Sequence, residues 1–286
     1  MNLYEIANIS NLTLMKNAIA KGLKVGYCDI ETSPELSLNY GVKKVFIGHD
    51  NIVVPTKITS VVILAEGSKK AKKFKWEHPG KLEVSAAPDG SVRYTGGGDD
   101  SKFLRKVKEE LNKFDIIIMQ NGDRFDAPLL QDRLCDLKLP PLRNLITLDT
   151  LKLSRRSFKR SHHSLDSQSK RFVGGGKDKQ DMADAIAVFL GHKQTEEERL
   201  AYNVKDVFLT QKIFWRQLDY YNLPQTFINL LLLYLKEQKP YCVKCAARRQ
   251  KRFEVEQTMV YFKSGGKGKR YQCKRCSHHW PIPKVL

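Results

Sequence analysis

The chain has 286 residues, room for one large domain or for a core domain with a small module. A hydrophobic fraction of 41% predicts a sizeable core, and no apolar run is long enough to span a bilayer. The net charge of +19, from 50 Lys and Arg against 31 Asp and Glu, predicts a polyanionic partner, nucleic acid ahead of a membrane surface.

The first 23 residues read as a lead-in with one helix around 12–20. They carry neither chemistry nor a basic region followed by an apolar stretch, so no secretory signal is expected and the chain reads as cytoplasmic. The first strand covers 25–31. Asp29 and Glu31 are two residues apart on it, so both side chains leave the same face. Two carboxylates held side by side repel each other and lose hydration unless a hard cation sits between them. They read either as the opening of a Mg²⁺ or Mn²⁺ site or as an ordinary exposed strand edge.

Residues 43–98 are rich in short strand candidates, and Pro88-Asp89-Gly90 supplies a turn between two of them. Phe103, Leu104, Val107, Leu111 and Phe114 recur at helical spacing after Asp99-Asp100-Ser101. The continuous apolar run from Ile116 to Met119 suits a strand buried on both faces. A turn, Asn121-Gly122-Asp123-Arg124-Phe125, then leads to Asp126 at the start of a helix running to about 136. The Asp126 carboxylate serves there either as a plain N-cap or as an acid aimed at the end of the sheet, where open α/β sheets build their sites.

A further short strand spans 145–150. Between residues 152 and 179 stand nine Lys and Arg against two acids, with Phe158, Phe172 and Gly174-Gly175-Gly176 among them. Such a segment suits a nucleic-acid strand lying across it through Arg155, Arg156, Lys159, Arg160, Lys170, Arg171 and Lys177, or else a solvated face. The Gly run lacks the spacing and the Ser or Thr of a P-loop. His162 and His163 are adjacent and face apart on a regular element, which disfavours joint metal ligation. Helices are expected at 182–190 and 196–218. Tyr202 and Asp206 are four apart in the second and share a face, as active-site groups or as ordinary surface decoration. The Leu-rich 227–235 reads as a packed helix, and Lys239-Pro240 as a boundary.

Beyond it, Cys242-x-x-Cys245 and Cys273-x-x-Cys276 stand 27 residues apart, the spacing of a closed four-thiolate Zn²⁺ site in a zinc ribbon. Cys28 and Cys135 are expected to be reduced structural thiols among apolar neighbours. Residues 241–286 hold twelve Lys and Arg against two Glu, with Tyr261, Phe262, Tyr271 and Trp280 interleaved. A nucleic-acid grip through Arg248, Arg249, Lys269, Arg270, Lys274 and Arg275 follows.

Taken together and in order, Asp29-x-Glu31, Asn121-x₃-Phe125-Asp126 and Tyr202-x₃-Asp206 resemble the three exonuclease motifs of the DEDD superfamily, in its tyrosine-containing branch. That branch includes the proofreading domains of family B DNA polymerases. The resemblance covers about 24–218, and Asp149-Thr150-Leu151-Lys152-Leu153 shares it. With the trailing ribbon, the chain looks most like stand-alone exonucleases encoded by bacteriophages.

The resemblance implies an α/β, RNase H-like mixed sheet flanked by helices over 24–239, with a β-rich elaboration at about 43–98. The Cys₄ ribbon follows at 240–286. It also implies 3′→5′ hydrolysis of DNA, with Asp29, Glu31, Asp126 and Asp206 holding two Mg²⁺ or Mn²⁺ about 3.5–4 Å apart. Tyr202 would orient the attacking water, and Asn121 and Phe125 would touch the nucleic acid. The same acids would serve an RNA 3′-exonuclease or a structure-selective nuclease. A non-catalytic zinc-ribbon adaptor would need only the charge and the ribbon.

Overall fold

The computed structural model describes residues 10–37, 52–76, 83–86, 92–95, 100–142, 146–176, 182–189, 192–235, 255–261, 267–273 and 279–281. The chain opens with α1 (Asn11–Ala20), capped by the Ser10 hydroxyl, which accepts from the Thr13 N–H. There follow β1 (Val25–Thr32), β2 (Leu36–Ser37), β3 (Ile52–Val54), β4 (Ile58–Ala65), β5 (Lys72–Lys75), β6 (Glu83–Ala86) and β7 (Val92–Thr95). Next come α2 (Ser101–Leu111), β8 (Ile116–Met119), α3 (Asp126–Asp136), β9 (Ile146–Asp149), α4 (Thr150–Ser157) and α5 (Leu165–Phe172). The series continues through α6 (Met182–Phe189), the long α7 (Lys193–Gln217), a 3₁₀ turn, α8 (Gln225–Leu235) and the strands β10 (Val255–Tyr261), β11 (Lys267–Cys273) and β12 (His279–Pro281).

The fold is mixed α/β. Five strands form the central sheet in the order β5-β4-β1-β8-β9. β1, β8 and β9 are mutually parallel, whereas β4 runs antiparallel to both β1 and β5. Of the 43–98 stretch, β4 and β5 therefore belong to this sheet, while β3 pairs with β2 and β6 with β7.

Side-chain alternation divides the sheet between two cores. Val25, Tyr27, Val62, Leu64, Ile116 and Ile118 face a layer built from α1, α7 and α8, where Met15, Phe214, Phe227 and Leu231 are buried. Cys28, Ile30, Val61, Ile63, Ile117 and Met119 face α2 and α3, against Leu104, Val107, Leu111, Leu130 and Leu134. Each of these apolar side chains contributes about 1.5–3 kcal/mol on burial, so the sheet is held from both sides. Among the described residues no helix is long and apolar enough to cross a membrane.

Two helices stand where the basic segment gave no helical signal. α4 and α5 are capped by Asp149 and Ser164 and bury Ser154, Gln168 and Ser169 beside Leu153 and Leu165. At the C-terminus, β10, β11 and β12 form a separate antiparallel sheet in that order. Cys273 ends β11, while Cys242, Cys245 and Cys276 lie outside the described residues. So do Lys177, Arg248, Arg249, Lys274 and Arg275, and only the strand positions of Lys269 and Arg270 are described. Cys28 is buried, as expected, but Cys135 is exposed and packs into neither core.

Candidate active site

The site is organised by where β1 loses a neighbour. Its parallel register with β8 stops at Tyr27, yet the strand continues to Thr32. Backbone groups on that side of the overhang need other partners. The Ile30 N–H finds one in the Asp126 carboxyl, donating to Oδ1 at 3.1 Å. Asp126 begins α3 and is 2% exposed. The residue between Asp29 and Glu31 is thus fastened to the third acid by a direct hydrogen bond.

The turn that carries Asp126 to this position has its own anchor. Asp149, buried at the end of β9, accepts from the N–H groups of Asn121 (3.0 Å), Asp123 (3.3 Å), Leu151 (2.9 Å) and Lys152 (3.2 Å). One carboxylate therefore caps α4 and holds the turn in place. Asn121 takes a left-handed conformation, φ 66°, which Asn tolerates better than most residues. Gly122 sits so close to Met119 that a Cβ there would meet the Met119 Cβ at 2.3 Å. Phe125, the residue before Asp126, is 44% exposed and leaves a ring face in solvent.

Asp29 and Glu31 stand opposite Val62 and Ser60 of β4. Val62 lies in the core beneath α7, so both acids leave the sheet on the α7 side. The α7 helix follows β1 in the opposite direction. Its Phe214 ring meets Tyr27 edge-on at 6.2 Å, Asn203 Nδ2 donates to the Asp29 carbonyl at 3.4 Å, and Arg199 pairs with Glu31. Four helical residues advance about 6 Å and two strand residues about 6.6 Å, which is why the last two contacts stay in step. Asp206, 2% exposed, lies one turn from Asn203, and Tyr202 is buried as well. Arg199, Asn203, Asp206 and Thr210 form a buried polar stripe at helical spacing, continued by Phe214. At the other end of the strand, Glu66 accepts from Tyr27, Gln211 and Trp215, pinning α7 a second time.

The electrostatics are those of crowded acids. The Asp126 carboxyl is pushed up to about 7: burial raises it most, two backbone N–H groups pull it down, and the charges of Asp149 and Glu31 raise it. Burial likewise raises the Cys28 thiol well above its usual range, with Asp126 and Asp29 adding to the effect. Cys28, on the opposite face of β1 from Asp29, is thus a protonated core thiol and a poor nucleophile.

Among the described residues, no three His, Cys, Asp or Glu side chains surround one point closely enough to hold a metal ion. The chemistry of the donors nevertheless fits a hard divalent cation. All four acids offer carboxylate oxygens, Asp126 is poorly compensated, and the buried oxygen acceptor Asn203 Oδ1 has no hydrogen-bond partner.

Arg199 and Asn203 carry no signal in the sequence. Arg199 meets an acid 168 residues away, and a buried polar stripe looks, on a helical wheel, like a solvent face. The His pair splits as expected, since His163 Nδ1 bonds Ser154 at 2.8 Å whereas His162 is exposed. Of the basic residues, Lys170 is paired with Asp166, while Arg155 and Arg156 are exposed on α4. Compared with models of known protein families and with curated proteins, the chain matches none.

Proposed function

We propose that the protein is a divalent-metal-dependent 3′→5′ exonuclease with an RNase H-like core, hydrolysing phosphodiester bonds of DNA. One observation carries this reading. The buried Asp126 carboxyl accepts from the backbone between Asp29 and Glu31, the strand segment along which α7 runs with Asn203 bonded to the Asp29 carbonyl and Arg199 paired with Glu31. Asp126 and Glu31, from distant parts of the chain, lie close enough that the charge of Glu31 raises the buried Asp126 carboxyl, a cost that a structural role alone leaves unexplained. The five-stranded mixed sheet with helices on both faces suits the RNase H-like assignment.

Asp29, Glu31, Asp126 and Asp206 would hold Mg²⁺ or Mn²⁺, which supplies activation of the attacking water and neutralisation of charge building on the phosphate. The chain's own groups do the rest. Arg199 offsets the charge of Glu31 and fixes its rotamer. The Asp126 bond to Ile30 keeps that carboxyl from swinging away. Tyr202, buried on α7, is a hydrogen-bonding group for the water. The exposed ring of Phe125 stacks against the terminal base. The C-terminal ribbon, with one structural Zn²⁺ on Cys242, Cys245, Cys273 and Cys276, would add remote binding energy.

Asp29→Ala and Asp206→Ala are expected to abolish turnover while binding of a fluorescent single-stranded oligonucleotide persists. Wild-type turnover in either variant would overturn the assignment of these acids.

A further inference from the structure

At the connection between α4 and α5 lies an open hollow of about 600 Å³ lined by Lys159, Arg160, Ser161, His162, Ser167 and Arg171. No carboxylate lines it. Two other cations of the basic segment are offset locally: Lys152 pairs with Asp123 at 3.1 Å and Lys170 with Asp166 at 2.7 Å. Lys159, Arg160 and Arg171 have no acidic partner among the described residues, and all three face the hollow.

The hollow is built rather than incidental. The Arg160 guanidinium stacks on Phe158 at 3.8 Å and on Phe172 at 4.8 Å, and Arg171 lies over the same Phe172 ring at 5.4 Å. Ring stacking fixes the plane of a guanidinium without consuming its N–H donors. Arg160 Nη1 is buried between these rings without a hydrogen-bond partner, so stacking rather than hydrogen bonding holds the guanidinium. Two like charges held over one ring repel each other, and an anion between them would relieve that repulsion.

The connection from Phe158 to Ser164 is also fastened to the active-site end of the sheet. The His163 carbonyl accepts from Gln120 Nε2 at 3.3 Å and from Gln168 Nε2 at 2.7 Å. Gln120 immediately precedes the turn that carries Asp126, and it accepts from the Thr150 hydroxyl. The cationic hollow and the acid cluster therefore share one rigid support.

We infer that this hollow is a phosphate site for a single-stranded polynucleotide, gripping one backbone phosphate away from the acids. Three cations, two hydroxyls and an imidazole, with no competing carboxylate, match the charge and acceptor oxygens of a phosphodiester. The ligand's identity rests on the nuclease reading, whereas the site itself rests on the hollow.

The test is fluorescence anisotropy with a labelled oligothymidylate, with and without a 5′-phosphate, without added magnesium or manganese. Wild type, Asp206→Asn and the double variant Lys159→Gln/Arg171→Gln would be titrated over a range of salt. Lys159 and Arg171 are exposed, so the double variant is expected to melt with the wild type. It should bind about tenfold more weakly or worse, with a salt slope lower by about 1, while Asp206→Asn binds like wild type. Equal loss for both oligonucleotides assigns an internal phosphodiester, and a larger loss for the phosphorylated one assigns the chain end. Unchanged affinity and slope in the folded double variant would overturn the phosphate site. Failure of the wild type to cleave with Mg²⁺ or Mn²⁺ despite binding counts against the nuclease reading alone, and the hollow is then judged on the affinity difference.

Discussion

Asp126 is anchored by the Ile30 N–H and yet electrostatically strained. A carboxyl with a folded pKa of about 7 and an unfolded value near about 3.9 takes up a proton on folding. Its contribution to stability is fully present below the unfolded value and is lost as pH rises through the folded one. In protein without added divalent metal, stability should therefore fall between about pH 4 and pH 7, by up to about 4 kcal/mol from this group. Asp126→Asn keeps the acceptor for the Ile30 N–H and removes the charge. Thermal melts should then show the variant gaining on the wild type as pH rises, and melting higher at pH 8. Curves that stay parallel from pH 4 to 8 would mean that Asp126 is not electrostatically strained.

At the scale of elements, the site depends on a turn that Asp149 and Gly122 make possible. Asp149→Ala strips acceptors from four N–H groups and should cost at least about 2 kcal/mol. Gly122→Ala drives a Cβ into Met119 and should displace the start of α3. Both variants are expected to melt lower and to cleave more slowly than wild type. A Gly122→Ala enzyme with wild-type rate would show that the turn does not set the position of Asp126.

The regular elements here were largely legible from apolar pattern: β1 and β8 as buried strands, α2 from its spacing, and α8 from its leucines. What remained hidden was polar and buried. α4 and α5 bury Ser154, Gln168 and Ser169 in place of an apolar stripe, so their sequences read as a charged loop. The partner of Glu31 was hidden for another reason. Arg199 acquires its meaning only once α7 is laid antiparallel along β1, a register that nothing local encodes. The three acidic motifs were visible because their internal spacing matches strand and helix periods, but the meeting of Asp126 with the backbone between Asp29 and Glu31 is a property of the fold.

On the scale of the whole chain, a net charge of +19 must be reconciled with an acidic centre. A division of labour does so, with acids at the end of β1 and cations in the hollow between α4 and α5 and in the C-terminal segment. In that segment, Cys242→Ser with Cys273→Ser is expected to release zinc, measured by metal analysis of the purified protein, and to weaken oligonucleotide binding. Unchanged zinc content would exclude a site built from those cysteines.

The most direct measurement is a gel time course of the pure protein and of Asp206→Ala. Single-stranded DNA and RNA, each labelled at the 5′ end, would be incubated with Mg²⁺, with Mn²⁺ or with neither. The account predicts a metal-dependent ladder descending from full-length DNA and absent in the variant. Immediate release of a labelled mononucleotide, discrete internal bands, or intact DNA in the presence of binding would contradict it.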